Sequence, residues 1–377
     1  MREFLPNGRL EMSKVLRLNK GTEEGTRELL KFLLENKKVK GVFTLIKLDQ
    51  SGGVAYSLVT DSDMIENALP LFPLMPANAA KMLSRLTLVE PATEVIAAVV
   101  RPCELRALTE LIKRNQGNLE NFLFISPTCG GVYPLKMAVE GNIEEKLPQY
   151  WDAVKKGEIA SDIRPTCAGC EHFTPYNTDM TVALIGNKDV DKQCVISLDT
   201  DKGEQFASGM PGEIVEGGVE SEVIKGLQSK REVQKKKLFD ELGDDGFDMQ
   251  KVFEKCIGCR GCSKICPVCY CHVCFFDSGG DEHPSCYYET ELEKTGYARV
   301  LPAPVFYQLV RLFHVSMSCV GCGLCADVCP VNIPLWAVSL KIGEAVQQSF
   351  DYLAGRNIEE GLPITTFRPE EFDGVAD

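Results

Sequence analysis

Residues 256–267 read CIGCRGCSKICP and residues 319–330 read CVGCGLCADVCP. Both follow one spacing, Cys-x2-Cys-x2-Cys-x3-Cys-Pro, the run that holds a [4Fe–4S] cluster in bacterial-type ferredoxins. Where two such runs occur, three thiolates of each bind one cluster and the fourth crosses to the other. The spacing therefore assigns Cys256, Cys259, Cys262 and Cys329 to one cluster, and Cys319, Cys322, Cys325 and Cys266 to its neighbour. A pair of zinc sites is the competing reading. Zinc motifs pair two Cys-x2-4-Cys knuckles, however, and have no use for a third cysteine at that spacing or for the Cys-Pro ending. Two ferredoxin runs mark an expected electron carrier.

The rest of the chain bounds the setting. At 377 residues it exceeds what one core usually supports, so at least two domains are expected. Twelve of the seventeen cysteines fall between Cys256 and Cys329 in short-spaced runs, which favours metal ligation over disulfides. The start, MREFLPNGRLEMSK, lacks the apolar centre of a signal peptide, and no apolar run approaches the length of a bilayer span. A cytoplasmic, soluble protein is the expectation. A net charge of −13 argues against nucleic acid as a partner, since phosphate binding needs a basic surface.

Residues 1–237 read as an α/β domain and 238–377 as an α+β dicluster ferredoxin-like domain with flanking helices. In the first, Thr22 to Glu35 has helical composition, Val42 to Lys47 and Val54 to Thr60 read as strands, and Asp49 to Gly53 between them is a hairpin signal. Val95 to Val100 and Phe122 to Ser126 are short apolar runs of the kind buried on both faces of a sheet. Ligands of open α/β sheets gather beyond the carboxyl ends of strands, where Cys103 and Cys129 follow these runs. With Cys167 and Cys170 they make the four thiols that a cubane needs, though spacing alone does not separate this set from a zinc site or from unrelated cysteines. Cys194 reads as core. Glu222 to Leu242 reads as a charged helical connector whose Lys230-Arg231 and Lys235 to Lys237 runs form a solvated face, broken by Gly243 to Gly246. Between the ferredoxin runs, Cys269, Cys271, Cys274 and Cys286 offer a possible further site for iron–sulfur, or for zinc with His272 or His283. On the Val305 to Val315 helix, His314 reads as a packed or hydrogen-bonded histidine.

At this point the chain resembles the coenzyme F420 hydrogenase/dehydrogenase beta subunit family, the formate dehydrogenase branch above all. The residues that carry the resemblance are Val100-Arg-Pro-Cys103, Asn118 to Asn121, Cys129-Gly-Gly131, the Cys167/Cys170 pair, Thr178-Asp179, Cys266 to Cys271 with Cys274, and the His314-x4-Cys319 approach. The resemblance implies a third [4Fe–4S] cluster on Cys103, Cys129, Cys167 and Cys170, and a purpose for Cys269, Cys271 and Cys274. It also implies FAD, with F420 as hydride donor, on a glycine-containing loop before the first helix. Here that loop reads Lys20-Gly-Thr-Glu-Glu-Gly-Thr26, with acids where a phosphate needs amides, and Ala183 replaces a glycine after Asp179. FAD is therefore expected to be absent or weakly held.

Three functions compete. The first is an iron–sulfur electron-transfer subunit of an anaerobic oxidoreductase complex, relaying electrons between a catalytic subunit of formate dehydrogenase or hydrogenase type and another electron-transfer partner. No molybdopterin or nickel–iron ligand pattern is evident in this chain, which places substrate chemistry on the partner. The second is a flavin subunit that exchanges hydride with F420 or NAD(P) and splits it into single electrons. The third is a metal-stabilised docking subunit, which would rarely need two complete ferredoxin runs.

Overall fold

The computed structural model describes residues 13–48, 53–217, 221–242, 248–279, 282–298 and 304–365. The Asp49 to Gly53 hairpin signal falls mostly outside these residues, and the Gly243 to Gly246 break falls wholly outside them. Eight strands, β1 (Ser13–Leu18), β2 (Gly41–Lys47), β3 (Val54–Val59), β4 (Ile96–Val99), β5 (Phe122–Pro127), β6 (Met180–Val182), β7 (Cys194–Leu198) and β8 (Glu213–Gly217), form one sheet in the order β3-β2-β4-β5-β6-β7-β1-β8. Strands β2, β4, β5 and β6 are parallel neighbours, and the remaining pairs are antiparallel. The chain is thus mixed α/β with a single sheet.

Side-chain alternation along the central strands divides the core. Ala97, Val99, Leu123 and Ile125 face one apolar cluster, which holds Leu29, Leu30 and Leu33 of the Thr22–Glu35 helix. Ile96, Ala98, Phe122 and Phe124 face another, with Leu105 and Leu108 of the Pro102–Ile112 helix. Both sides being covered, these strands read as continuous apolar runs. The second face also receives Met317, Val320, Tyr352 and Ala354, so segments flanking the second ferredoxin run pack directly onto the sheet layer.

Beyond residue 248, every regular element among the described residues is helical. The strands expected of an α+β ferredoxin-like segment are not found there. The approach to the second run carries its apolar residues at helical spacing, with Tyr307, Leu312 and Val315 buried on the Pro304–Val315 helix. A second correction concerns the Ser221–Asp240 helix, expected to present a solvated face. Arg231 is buried, and Lys235 is half-buried in ion pairs with Glu171 and Glu344. His314 is exposed, its ring beside that of Phe313.

The C-terminal segment is fastened to the sheet layer through Glu110. This fully buried carboxylate accepts hydrogen bonds from the Gly355 amide (2.7 Å), from Arg114 Nη1 (2.7 Å) and from the Tyr352 hydroxyl. Removing one partner of a buried ion pair leaves the other charge uncompensated, at a cost of about 3–5 kcal/mol. Glu110→Ala should therefore lower the thermal midpoint and expose residues near Tyr352 to limited proteolysis. An unchanged midpoint would show that the network contributes little.

Candidate iron–sulfur centres

The sheet register accounts for two thiols of the first candidate centre. Val99 of β4 pairs with Ile125 of β5, and Cys103 and Cys129 each lie four residues beyond that rung. Cys103 is the second residue of a helix whose start is held by Glu104. That carboxylate accepts from the Arg101 amide at 2.9 Å, the Ala79 amide at 3.0 Å and the Tyr56 hydroxyl at 2.6 Å. Past Cys129 the chain needs glycine. Gly131 has φ +106°, and a Cβ there would stand 2.8 Å from Ile163 and 3.1 Å from the Cys167 side chain. Arg231 bridges the loops from the far side, with Nη2 donating to the carbonyls of Cys129 (3.2 Å) and Gly130 (3.1 Å) and Nη1 reaching that of Cys170 (3.4 Å).

Burial, the Glu104 carboxylate and then the thiols of Cys322, Cys129 and Cys167 push the Cys103 thiol well above its ordinary range. Burial pushes Cys167 up to about 12, against the Arg164 guanidinium and with Cys129 and Cys170 adding to the rise. Burial also raises Cys170, opposed by Arg231 and reinforced by Cys129. Cys103 and Cys167 pack against one small apolar cluster of Met75, Val132 and Leu324, which Cys322 of the second ferredoxin run also joins.

In that run, Cys319, Cys322, Cys325 and Cys266 line one small cavity together with Arg311. Burial and then Cys266 push Cys322 up to about 12; burial pushes Cys319 to about 11, against the Gly321 amide and with Cys266 adding. Around the other set, Cys256, Cys262 and Cys329 share an apolar cluster with Phe253 and Tyr307. Gln308 Nε2 stands 3.7 Å from Cys256 Sγ and 3.8 Å from Cys262 Sγ, and the Tyr307 hydroxyl is 3.8 Å from Cys262 Sγ. The Ile333 amide donates to Cys329 Sγ at 3.4 Å. Cys259 is exposed. Hydrogen bonds of this kind to ligating sulfurs are among the factors that set a cluster's potential.

The two runs repeat in conformation as well as spacing. Left-handed backbone occurs at Gly258 and Arg260 in the first and at Gly321 and Gly323 in the second, at the same two steps of the motif. Only the second copy requires glycine at the later step for lack of space: a Cβ on Gly323 would meet Thr166 Cγ2 at 2.2 Å, whereas the Arg260 side chain lies over the Phe276 ring.

Of the free thiols, Cys194 is buried in the apolar core, whereas the four of the first centre and the eight of the two runs form a donor set suited to iron–sulfur clusters, with the thiolate ligands deprotonated as metal binds. Among the described residues, no three Cys, His, Asp or Glu side chains converge closely enough to hold a single metal ion. In the insertion, burial pushes Cys269 up to about 12, with Cys266, Cys271 and Cys274 adding and Arg311 opposing. Cys286 is exposed on the Ser285–Thr295 helix, and His283 stacks on Tyr287 with ring centroids 4.1 Å apart. Sequence reasoning missed Gln308, Arg311, Arg164 and Arg231. For Gln308 and Arg311 the available signal was polar residues at buried spacing in an otherwise apolar helix; Arg164 and Arg231 carried none.

The loop at residues 20–26 borders a cavity of about 860 Å³ between the first helix and the Ile143–Lys156 helix, walled by Phe72, Leu74, Leu147 and Trp151. The Thr22 amide at the helix N-terminus is already bonded to the Val190 carbonyl at 2.7 Å. Glu24 pairs with Lys20 at 3.4 Å on the surface. Glu23 turns inward, and its carboxyl oxygens are closed off from solvent without a hydrogen bond of normal geometry. Burial pushes Glu23 up to about 7, against the weaker pull of Arg27, the Leu71 backbone and Arg101.

Residues 314–334 match a family model described as a 4Fe-4S binding domain, so the chain is of the iron–sulfur class. It resembles the beta subunits of formate dehydrogenase along most of its length. It is 26% identical over 374 residues to the F420-dependent formate dehydrogenase subunit beta of Methanocaldococcus jannaschii, covering 89% of this chain and 92% of that one. It is 27% identical to the F420-dependent formate dehydrogenase 1 subunit beta of Methanococcus maripaludis, covering 87% and 89%. Among solved structures, a chain of the F420-reducing [NiFe] hydrogenase complex from Methanosarcina barkeri aligns with a TM-score of 0.45 at 13% identity, covering 64% of this chain and 95% of that one. The chain thus carries a 4Fe-4S binding segment and is similar over most of its length to formate dehydrogenase beta subunits. No helix among the described residues is long and apolar enough to cross a membrane.

Glu23 supplies a test of the cavity. The folded chain holds this proton to higher pH than the unfolded chain, so stability falls as pH rises from about 4.5 to about 7. Glu23→Gln should remove that loss, raising stability by up to roughly 3 kcal/mol at pH 8 and by little at pH 4.5. Thermal midpoints of both proteins across this range check it, and parallel pH profiles would show that the carboxyl is not buried.

Proposed function

We propose that this chain relays electrons within an oxidoreductase complex, between a catalytic subunit of formate dehydrogenase or hydrogenase type and another electron-transfer partner. Residues 1–237 form its α/β unit and 238–377 its two-run ferredoxin-like unit. Three centres carry the electrons: Cys256, Cys259, Cys262 and Cys329; Cys319, Cys322, Cys325 and Cys266; and Cys103, Cys129, Cys167 and Cys170. Bound clusters supply one-electron steps. The protein's part is to hold the thiolates, exclude water and set the field around them.

The observation that carries this reading is the convergence of Cys266, from the first run, on the cavity lined by Cys319, Cys322 and Cys325. The crossed ligation of two-cluster ferredoxins needs that meeting. The packing of Cys103 and Cys322 against the same small apolar cluster supports a continuous path from the ferredoxin-like unit into the α/β unit.

A second reading, in which a flavin exchanges hydride with F420 or NAD(P), is favoured by the cavity of about 860 Å³ and its aromatic wall. The helix N-terminus beside it does not suit a pyrophosphate, because its first amide is taken by Val190 and the Glu24 carboxylate lines the cavity there. We therefore give the relay precedence. FAD in stoichiometric amount in purified protein would reverse that order.

Protein purified without oxygen should contain about twelve irons, with matching labile sulfide, for three clusters. Cys262→Ala and Cys325→Ala should each remove mainly one cluster, about four irons. Iron-free, zinc-loaded protein would overturn the reading.

A further inference from the structure

The Pro304–Val315 helix carries a cation into the densest group of cysteines in the chain. Arg311 is 4% exposed, and its Nη2 reaches only the Cys262 carbonyl, at 3.5 Å. Its Nε and Nη1 have no hydrogen-bond partner, and no carboxylate lies in ion-pair range among the described residues. An isolated buried guanidinium is strongly disfavoured, and a chain that keeps one must offer it negative charge. The groups around it are thiols of three different segments. Cys262 belongs to the first run, Cys266 crosses from the first to the second, and Cys325 and Cys319 belong to the second. Cys269 of the insertion also feels it.

Other cations near these sulfurs are engaged. Lys81 Nζ donates to the Lys264 carbonyl at 2.5 Å, Arg164 is paired with Asp327, and Arg106 Nε donates to the Ala354 carbonyl at 2.8 Å. Arg311 alone in this group both lines the cavity of Cys266, Cys319, Cys322 and Cys325 and keeps unpartnered N–H groups.

We propose that Arg311 is the positioning residue that sets the potentials of the two ferredoxin-type clusters, holding a fixed positive charge between them. The inference rests on the relay reading. Four thiolates around a cubane leave net negative charge, and reduction adds one more electron to it. A guanidinium stays charged throughout the accessible pH range. It therefore stabilises each reduced cluster over its oxidised form, raises both potentials, and offsets the repulsion that an electron on one cluster exerts on an electron entering the other.

The test uses the full chain purified without oxygen as wild type, Arg311→Lys and Arg311→Gln. Iron and labile sulfide are measured first, and the clusters are then titrated potentiometrically with EPR detection. Arg311→Gln should keep wild-type iron and move at least one ferredoxin-type cluster to lower potential by 59 mV or more. For a one-electron couple that is a tenfold change in the reduced-to-oxidised ratio at fixed poise. Arg311→Lys, which keeps the charge, should recover most of the shift. Arg311→Met takes the place of the Gln variant if the latter fails to assemble. An iron-loaded neutral variant with an unmoved potential overturns this inference alone, as does a Lys variant displaced as far as the Gln variant. Iron-free wild-type protein overturns the relay reading and this inference together.

Discussion

Arg164 is the tie on which the arrangement of centres depends. Its guanidinium is almost wholly buried, donates from Nε to Asp327 at 2.5 Å and from Nη2 to the Met75 carbonyl at 3.1 Å, and reaches the Cys322 carbonyl at 3.4 Å. One side chain thus joins the loop that leads to Cys167, the segment before the Ala79–Leu86 helix, and the second ferredoxin run. Asp327 returns the connection by accepting from the Leu135 amide at 3.2 Å. The charge is tolerated in the interior because each of its three nitrogens finds an acceptor and Asp327 balances it. Thr166, two residues on, adds a hydrogen bond to the Gly321 carbonyl at 2.8 Å.

The consequence is that two kinds of scaffold cooperate at one boundary. A parallel sheet places thiols by register, because equal offsets beyond a shared rung bring Cys103 and Cys129 to one end of the strands. A ferredoxin run places them by local turns, with left-handed backbone at the same two steps between its cysteines in each copy. Each device is precise over a short span only. Arg164, Arg106 and Thr166 bring the two into contact, and the apolar faces of Met317 and Val320 fill the space between.

Much of this was legible in the sequence. The Thr22–Glu35 helix appears with the bounds its composition implied, and the apolar runs at Val95 to Val100 and Phe122 to Ser126 are neighbouring parallel strands. Cysteine spacing made the second ferredoxin run legible because the motif is local. What escaped were residues whose role depends on partners distant in sequence. Arg231 sits in a basic run that composition assigns to solvent, yet lies against Cys129 and Cys170. Glu23 and Glu24 look equivalent in the sequence, but helical geometry sends one inward and the other to a surface pair with Lys20. The Val305 to Val315 helix was legible from its apolar period, while the strands that an α+β label implied after residue 248 are not found among the described residues.

The repeated loops have one asymmetry with a wider meaning. At the later left-handed step, the copy against Thr166 has no room for any side chain, while its counterpart carries Arg260 beside the exposed Cys259. A side chain is thus accommodated at this step in one copy and not in the other. The outer half is where this chain can acquire a new docking preference through changes in surface charge, while the inner half stays bound to the geometry of the sheet.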